Sequence, residues 1–299
     1  MTWWLDVVDW RMTEPASGPF RDGRCNRPAN IGGFQSLAPL PPSRFMTPIS
    51  ILIPCYNSAA TLARALQSCR IQPEAAQIIV VDDGSSDASA DIVAHFGRLD
   101  PRVGLLSIPY NGGAARARNW GALHASQDLL AFLDADDEYL PGALGAASAF
   151  LTNHPNEVSV RLDVEYTDFP AELTAHPDFP AHASTLSNTV PSSLIIRRAV
   201  YGALGGFPMD DAFRRIGGED GAFSWALRDI FGNPRLDDAK RVRMHYHAGI
   251  HAERYFRIAL GMQAPDPADV AEAVEVSMRF LDTTRAGIEK LRAARLAGE

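Results

Sequence analysis

The stretch "AFLDADDEYLP", Ala131 to Pro141, sets Asp134, Asp136, Asp137 and Glu138 directly behind the apolar run Leu129 to Leu133. Carboxylates packed this closely repel one another unless water screens them or a cation neutralises them. An Asp-x-Asp at a strand end suits a hard divalent cation, which takes oxygen ligands and commonly joins one or two carboxylates to a substrate phosphate. A solvated acidic turn is the plain alternative, and the stretch alone does not decide between the two. A second acidic group, "VVDDGSSD", places Asp82 and Asp83 before Gly84. Taken singly, Asp-Gly-Ser is ordinary turn and helix-cap chemistry. Two acidic strand ends in one sheet tip the balance towards a metal or ligand site.

The elements that must position these groups follow from hydrophobic patterning. Apolar runs at 49–53, 77–81, 103–108 and 129–133 alternate with helical stretches that begin at Ser58, span 87–96 and 114–125, and start again near Pro141. Asn57 or Ser58 is the expected cap of the first helix. Short, fully apolar strands alternating with helices predict a mostly parallel sheet covered on both faces. Ligands of such sheets bind beyond the carboxyl ends of the strands. That edge is where Tyr56, Asp82, Asp83, Asn111 and Asp134 to Asp137 fall. The second half is less regular. Residues 157–166 alternate as an antiparallel or edge strand would, 192–198 read as a strand, and 219–231 as a helix with acidic residues in its first turn. The tail, 251–299, is expected as a helix or a helix pair cut at Thr283 and Thr284.

Bulk composition excludes several classes. A formal net charge of -8 makes the protein as a whole no partner for nucleic acid. Lys240 and Lys290 are the only lysines, and no GxxxxGK occurs, so a P-loop NTPase is excluded. Cys25, Cys55 and Cys69 lack metal-ligand spacing and leave an odd count, which favours a reducing, cytoplasmic location. No apolar run approaches a membrane span, so any membrane association is expected to be peripheral. Residues 1–45, rich in Pro, Gly and polar side chains, are expected to form a disordered extension, with Trp3, Trp4 and Trp10 as alternative anchors. The functional domain, and with it a candidate translation start, is expected at Met46 and to run to about residue 250.

Five segments now carry a family resemblance: "ISILIPCYNSAATLARALQSC", "IIVVDDGSSD", "NGGAARARNWGALHA", "LLAFLDADDEYLPGAL" and "LGGFPMDD…GGEDGAFSWAL". Their order and spacing resemble the inverting, family-2 glycosyltransferases of GT-A fold, from about Met46 to Phe231. The resemblance implies a hexosyltransferase that moves a sugar from a nucleotide-diphosphate sugar, UDP-linked above all, to an acceptor hydroxyl in polysaccharide or glycoconjugate synthesis. It leaves the acceptor and the sugar open. It further implies that Tyr56, Pro54 and Asn57 line the nucleotide, with the Tyr56 ring on the base, and that Asp83, with Asp82 beside it, hydrogen-bonds the base. Arg118 falls near the donor pyrophosphate or sugar, and Asp134 near the ribose or donor sugar. Asp136 is implied as the ligand of a Mg2+ or Mn2+ ion, with Asp134 beside it and a downstream histidine, His247 or His245, completing the shell. The Asp of "GGEDGAF", Asp220, is implied as the base that deprotonates the acceptor, with Gly217 and Gly218 allowing close backbone approach. Ser192, Ser193 and Arg197 fall in the segment that shapes the acceptor side, and the insertion 167–188 is where acceptor specificity is expected. Two alternatives stand beside this. A sugar nucleotidyltransferase requires a basic, Gly-rich loop after the first strand, which "IPCYNSAAT" lacks. A catalytically silent nucleotide-sugar binding module would not need Asp83, Asp136 and Asp220 together.

Overall fold

The computed structural model describes residues 46–296. The expectations for residues 1–45 and for the three tryptophans therefore lie outside the described residues. Eight strands form one mixed sheet in the order β3 (Val103–Ile108), β2 (Ala75–Asp83), β1 (Ile49–Cys55), β4 (Leu129–Phe132), β7 (Leu194–Arg197), β6 (Ser159–Thr167), β8 (Arg235–His245) and β5 (Asp137–Tyr139). Its first half is the predicted parallel unit: β1 (Ile49–Cys55), β2 (Ala75–Asp83), β3 (Val103–Ile108) and β4 (Leu129–Phe132). The connecting helices are α1 (Leu62–Arg70), α2 (Ser89–Leu99) and α3 (Ala114–His124). Then follow β5 (Asp137–Tyr139), α4 (Ala143–Asn153) and β6 (Ser159–Thr167).

Alternate residues of each strand serve opposite faces, so a sheet covered on both sides needs apolar residues throughout. Ile49, Ile51, Ile53, Ile78 and Val80 join Leu62, Leu66, Val93 and Leu144 in the core under α1, α2 and α4. Leu52, Ile79, Val81, Leu130 and Phe132 pack the other way, with Ala117 of α3. A Cβ on Gly121 would lie 3.0 Å from Val81 Cγ2, so the glycine lets α3 sit close on the sheet.

Across 167–188 the chain forms two short helices, α5 (Ala171–Thr174) and α6 (Phe179–Leu186), rather than a long loop. A 3-10 turn at Pro191–Ser193 leads into β7 (Leu194–Arg197), followed by α7 (Arg198–Ala203), α8 (Asp211–Ile216) and α9 (Glu219–Phe231). β8 (Arg235–His245), α10 (His251–Ala259) and α11 (Pro267–Leu296) complete the chain. Tyr201, Phe207, Phe223 and Leu227 extend the α3-side core. Among the described residues no helix is long and apolar enough to cross a membrane.

Three expectations need correction. β6 is antiparallel to β7, one of the two expected arrangements, but it is not an edge strand, because it pairs in parallel with β8 on its other side. Two of its charged residues are buried and partnered, Arg161 by neutral acceptors and Asp163 by Lys240 at 2.6 Å. Second, α11 continues unbroken through Thr283 and Thr284. The Thr283 hydroxyl donates to Arg279 O, and Thr284 is buried with its hydroxyl on Leu204 O. Val276 and Phe280 dock this helix on Phe213 and Ala222 of α8 and α9, and that packing overrides weak β-branched propensity. Third, α1 starts at Leu62, after a turn, and Thr61 stands at its N-cap without a side-chain cap bond. Asn57 and Ser58 instead tie the β1–α1 loop to the β2–α2 loop: Asn57 Oδ1 accepts from Ser86 N at 2.8 Å, and Ser58 N donates to Ser89 Oγ at 3.0 Å.

Candidate active site

The order β2-β1-β4 lays Asp83, Tyr56 and Asp134 side by side at the carboxyl ends of neighbouring strands. They open on a cleft of about 920 Å³, whose far wall is built by the Gly217–Asp220 turn, His247 and α10.

Asp83 is buried, and its Oδ2 accepts from the backbone N–H groups of Gly112 and Gly113 at 2.8 and 2.7 Å. Gly84 makes this possible. Its φ is +79°, and a Cβ there would lie 3.0 Å from Tyr110 Cα, so only glycine lets the β3–α3 loop close onto the aspartate. Asp83 Oδ1 is buried with no hydrogen-bond partner, an acceptor left for a donor within the cleft that Asp83 lines. Tyr56 is 50% exposed on the same cleft, with Pro54 and Asn57 beside it. Asp82 turns away: its Oδ1 accepts from Ser85 N at 3.1 Å and closes the turn, and it does not line the cleft.

The Asp-x-Asp stretch divides by role. Asp134 Oδ1 accepts from Arg118 Nη2 at 2.6 Å, while its backbone N–H donates to Ser192 Oγ. Asp136 Oδ2 lies 2.8 Å from His247 Nε2, both partly open to the cleft. Arg64, unremarked in the sequence, fixes the loop by donating to Asp136 O at 2.5 Å. Asp137 starts β5, buried, and accepts from Ser192 Oγ at 2.6 Å. Burial, with Asp136 and then Asp134 nearby, raises the Asp137 carboxyl well above the usual range. Glu138 pairs with Arg243 and His245, so His245 stands away from Asp136. Among the described residues no group of three or more His, Cys, Asp or Glu side chains converges as a metal site. Asp136 and His247 nonetheless fit a divalent cation of the kind that draws its other ligands from substrate phosphate and water.

Arg118 is nearly fully buried between the two acidic groups, 2.6 Å from Asp134 and 3.4 Å from Glu219, with its guanidinium over the Phe207 ring. Burial by itself would lower its pKa; Asp134 and Glu219 outweigh that, and the net shift is upward. Arg116, two residues earlier, lies against Tyr110. Asp220 is the second residue of α9, after Gly217 and Gly218, whose φ values of +78° and +101° turn the chain out of α8. Burial pushes the Asp220 carboxyl up to about 7, with Glu219 pushing the same way; the Gly221 N–H and Arg118 pull it back, and Asp134 adds a smaller rise. Such a group is half ionised near neutrality, which suits proton abstraction. Ser193 and Arg197 serve the framework: Ser193 Oγ accepts from Arg161, and Arg197 ties to the carbonyls of Glu157 and Leu151.

Residues 50–197, about half of the chain, match glycosyl transferase family 2. The succinoglycan biosynthesis protein ExoU of Rhizobium meliloti is 39% identical over 139 residues, 46% of this chain and 40% of that protein. The UDP-Glc:alpha-D-GlcNAc-diphosphoundecaprenol beta-1,3-glucosyltransferase WfgD of Escherichia coli is 38% identical over 97 residues, 32% of this chain and 38% of that protein. The chain thus spans about two-fifths of the length of each of these curated relatives. The fold is similar to that of S. aureus TarS 1-349 in complex with UDP-GlcNAc, with a TM-score of 0.59 and 20% identity over 78% of this chain and 66% of that one. It is also similar to the mannosyltransferase PcManGT of Pyrobaculum calidifontis in complex with GDP-Man and Mn2+, with a TM-score of 0.54 and 18% identity over 84% and 76% of the two chains. Motif order, mixed sheet and family match agree: the chain belongs to glycosyl transferase family 2 and has a GT-A-type fold.

Proposed function

We propose that this protein is an inverting, metal-dependent hexosyltransferase that uses a nucleotide-diphosphate sugar in the synthesis of a polysaccharide or glycoconjugate. The observation that carries the reading is a single cleft holding both the unpartnered buried acceptor of Asp83 and the Asp220 carboxyl raised to about 7. Asp83 Oδ1 suits the ring N–H of a base such as uracil, and the Tyr56 ring offers a stacking face beside it. Asp136 and His247 would hold the cation. When bound, the cation offsets the charge that develops on the departing diphosphate.

Asp220 accepts the proton of the acceptor hydroxyl as that oxygen bonds to the anomeric carbon. The bond from anomeric carbon to phosphate oxygen breaks in the same step, and its electron pair leaves with the nucleoside diphosphate. Arg118, which lines the cleft, stands near the donor pyrophosphate or sugar in this reading and holds Asp134 and Glu219 through its ion pairs. The relative WfgD, by its name, uses UDP-Glc, and TarS was solved with UDP-GlcNAc; both support a UDP-sugar here. Cys55 and Cys69, free and buried among the described residues, fit a cytoplasmic location. A calorimetric screen of nucleoside diphosphates and their sugars, with and without Mn2+, tests the donor assignment. Metal-dependent, selective binding is expected, and Asp220→Asn is expected to retain it while losing transfer. Wild-type turnover in that variant would remove Asp220 from the mechanism.

A further inference from the structure

Arg161 sits within β6 with no solvent exposure. Its Nε donates to Asn233 Oδ1 at 3.1 Å, its Nη1 to Val190 O at 2.9 Å and Ser193 Oγ at 3.1 Å, and its Nη2 to Ser224 Oγ at 2.6 Å. Every one of these acceptors is neutral. A guanidinium buried without a carboxylate partner is costly, and an apolar residue of similar volume is usually the more stable choice at such a position. Ser224 lies one helical turn after Asp220 on α9, and its hydroxyl donates to Asp220 O at 2.7 Å. Through space, Asp220 is also the charged group that acts on Arg161. The arginine therefore reaches the same residue twice, once through a serine and once through its charge.

We infer that Arg161 is a positioning residue for the base: it pins the first turn of α9 through Ser224 and supplies positive charge that favours the ionised Asp220 carboxylate. This rests on the reading of Asp220 as the base. The charged groups that face Asp220 are Glu219 on its own helix, Asp134 after β4, Arg118 on α3 and Arg161 on β6. Arg118 is committed to its ion pairs with Asp134 and Glu219, whereas Arg161 has no ion pair among the described residues. Burial lowers the Arg161 pKa only to about 9, so it remains charged at neutral pH.

The test uses the full chain labelled with 13C at the aspartate carboxyl carbon; the resonance missing from Asp220→Asn identifies Asp220. In Arg161→Met the Asp220 midpoint is expected to rise, whereas Arg161→Lys keeps it near the wild-type value. Ser224→Ala, which cuts the hydrogen-bonded link and keeps the charge, is expected to lower the rate of nucleotide-sugar hydrolysis several-fold without moving the midpoint. If Arg161→Met does not fold, Arg161→Gln takes its place, because it also removes the charge while retaining hydrogen-bonding capacity. An unchanged Asp220 midpoint in a folded, charge-removed variant overturns the inference, and so does wild-type hydrolysis in Ser224→Ala. Neither outcome touches the base assignment, which fails separately if Asp220→Asn keeps wild-type turnover.

Discussion

Replacing Asp220 with asparagine should stabilise the protein at pH 8 even as it abolishes transfer. The carboxyl titrates at 3.8 in an unperturbed chain and at about 7 in the fold, because burial and then Glu219 penalise its charge. Between those two values the folded state holds a proton that the unfolded state has released. The contribution of this group to stability is thus fully present below 3.8 and is lost as pH rises through about 7. A displacement of about three pH units, at ~1.36 kcal/mol each, corresponds to about 4 kcal/mol. Asp220 is partly open to solvent, and water recovers some of that penalty. The expected gain is therefore about 2 kcal/mol, or roughly 4–8 °C in Tm for a domain of this size. Asparagine does not titrate and can still accept the Gly221 N–H. The difference between variant and wild type should accordingly grow from well under 1 kcal/mol at pH 4 to its full value at pH 8. Thermal unfolding of both proteins across that range, without nucleotide or metal, is the assay. A Tm difference independent of pH, or a variant less stable than wild type at pH 8, would refute the account of a carboxylate held up by its surroundings.

Other substitutions probe the remaining parts of the cleft. Asp83→Asn puts a donor where the free acceptor stood and should weaken UDP binding by about 10- to 100-fold, the loss of a charge-assisted hydrogen bond, as read by calorimetry. Asp136→Ala should abolish Mn2+-dependent UDP binding, and His247→Ala should weaken it by about tenfold or more; unchanged metal dependence in both would exclude this pair as ligands. Arg118→Met leaves Asp134 and Glu219 without their shared cation and should cost about 3–5 kcal/mol in chemical denaturation, as expected for breaking a buried ion pair. Arg116→Met, by contrast, removes only an arginine lying against Tyr110 and should change stability by less than about 1 kcal/mol.

The sequence by itself determined the parallel half of the sheet and the identity of most groups in the cleft. β1, β2 and β4 carry mainly apolar runs because both faces of those strands are buried, whereas β3, at the sheet edge, is largely exposed, and that composition is visible without a structure. The helix beginning at Glu219 and the strand-end positions of Tyr56, Asp83 and Asp136 are equally local features. Other elements depend on partners distant in sequence. β8 reads as a charged segment, "RLDDAKRVRMH", and becomes a strand because β6 and β5 supply Asp163, Glu165 and Glu138 to Lys240 and Arg243. β6 alternates like an edge strand, yet lies inside the sheet because its arginine and aspartate find partners there.

Within the site, tertiary structure separated residues that look equivalent in sequence. Asp82 and Asp83 are neighbours on one strand, but strand alternation sends one to a turn and the other to the cleft. His245 and His247 lie close together on the chain, and only His247 meets Asp136. Arg161 was detectable only as a charge in the wrong place, an arginine inside "SVRLDV"; its link through Ser224 to Asp220 exists because the fold brings Ser224 of α9 within hydrogen-bond reach of β6. Residue type and spacing state which chemistry is available. Burial and long-range contact decide which of those groups are charged, aimed and free to use it.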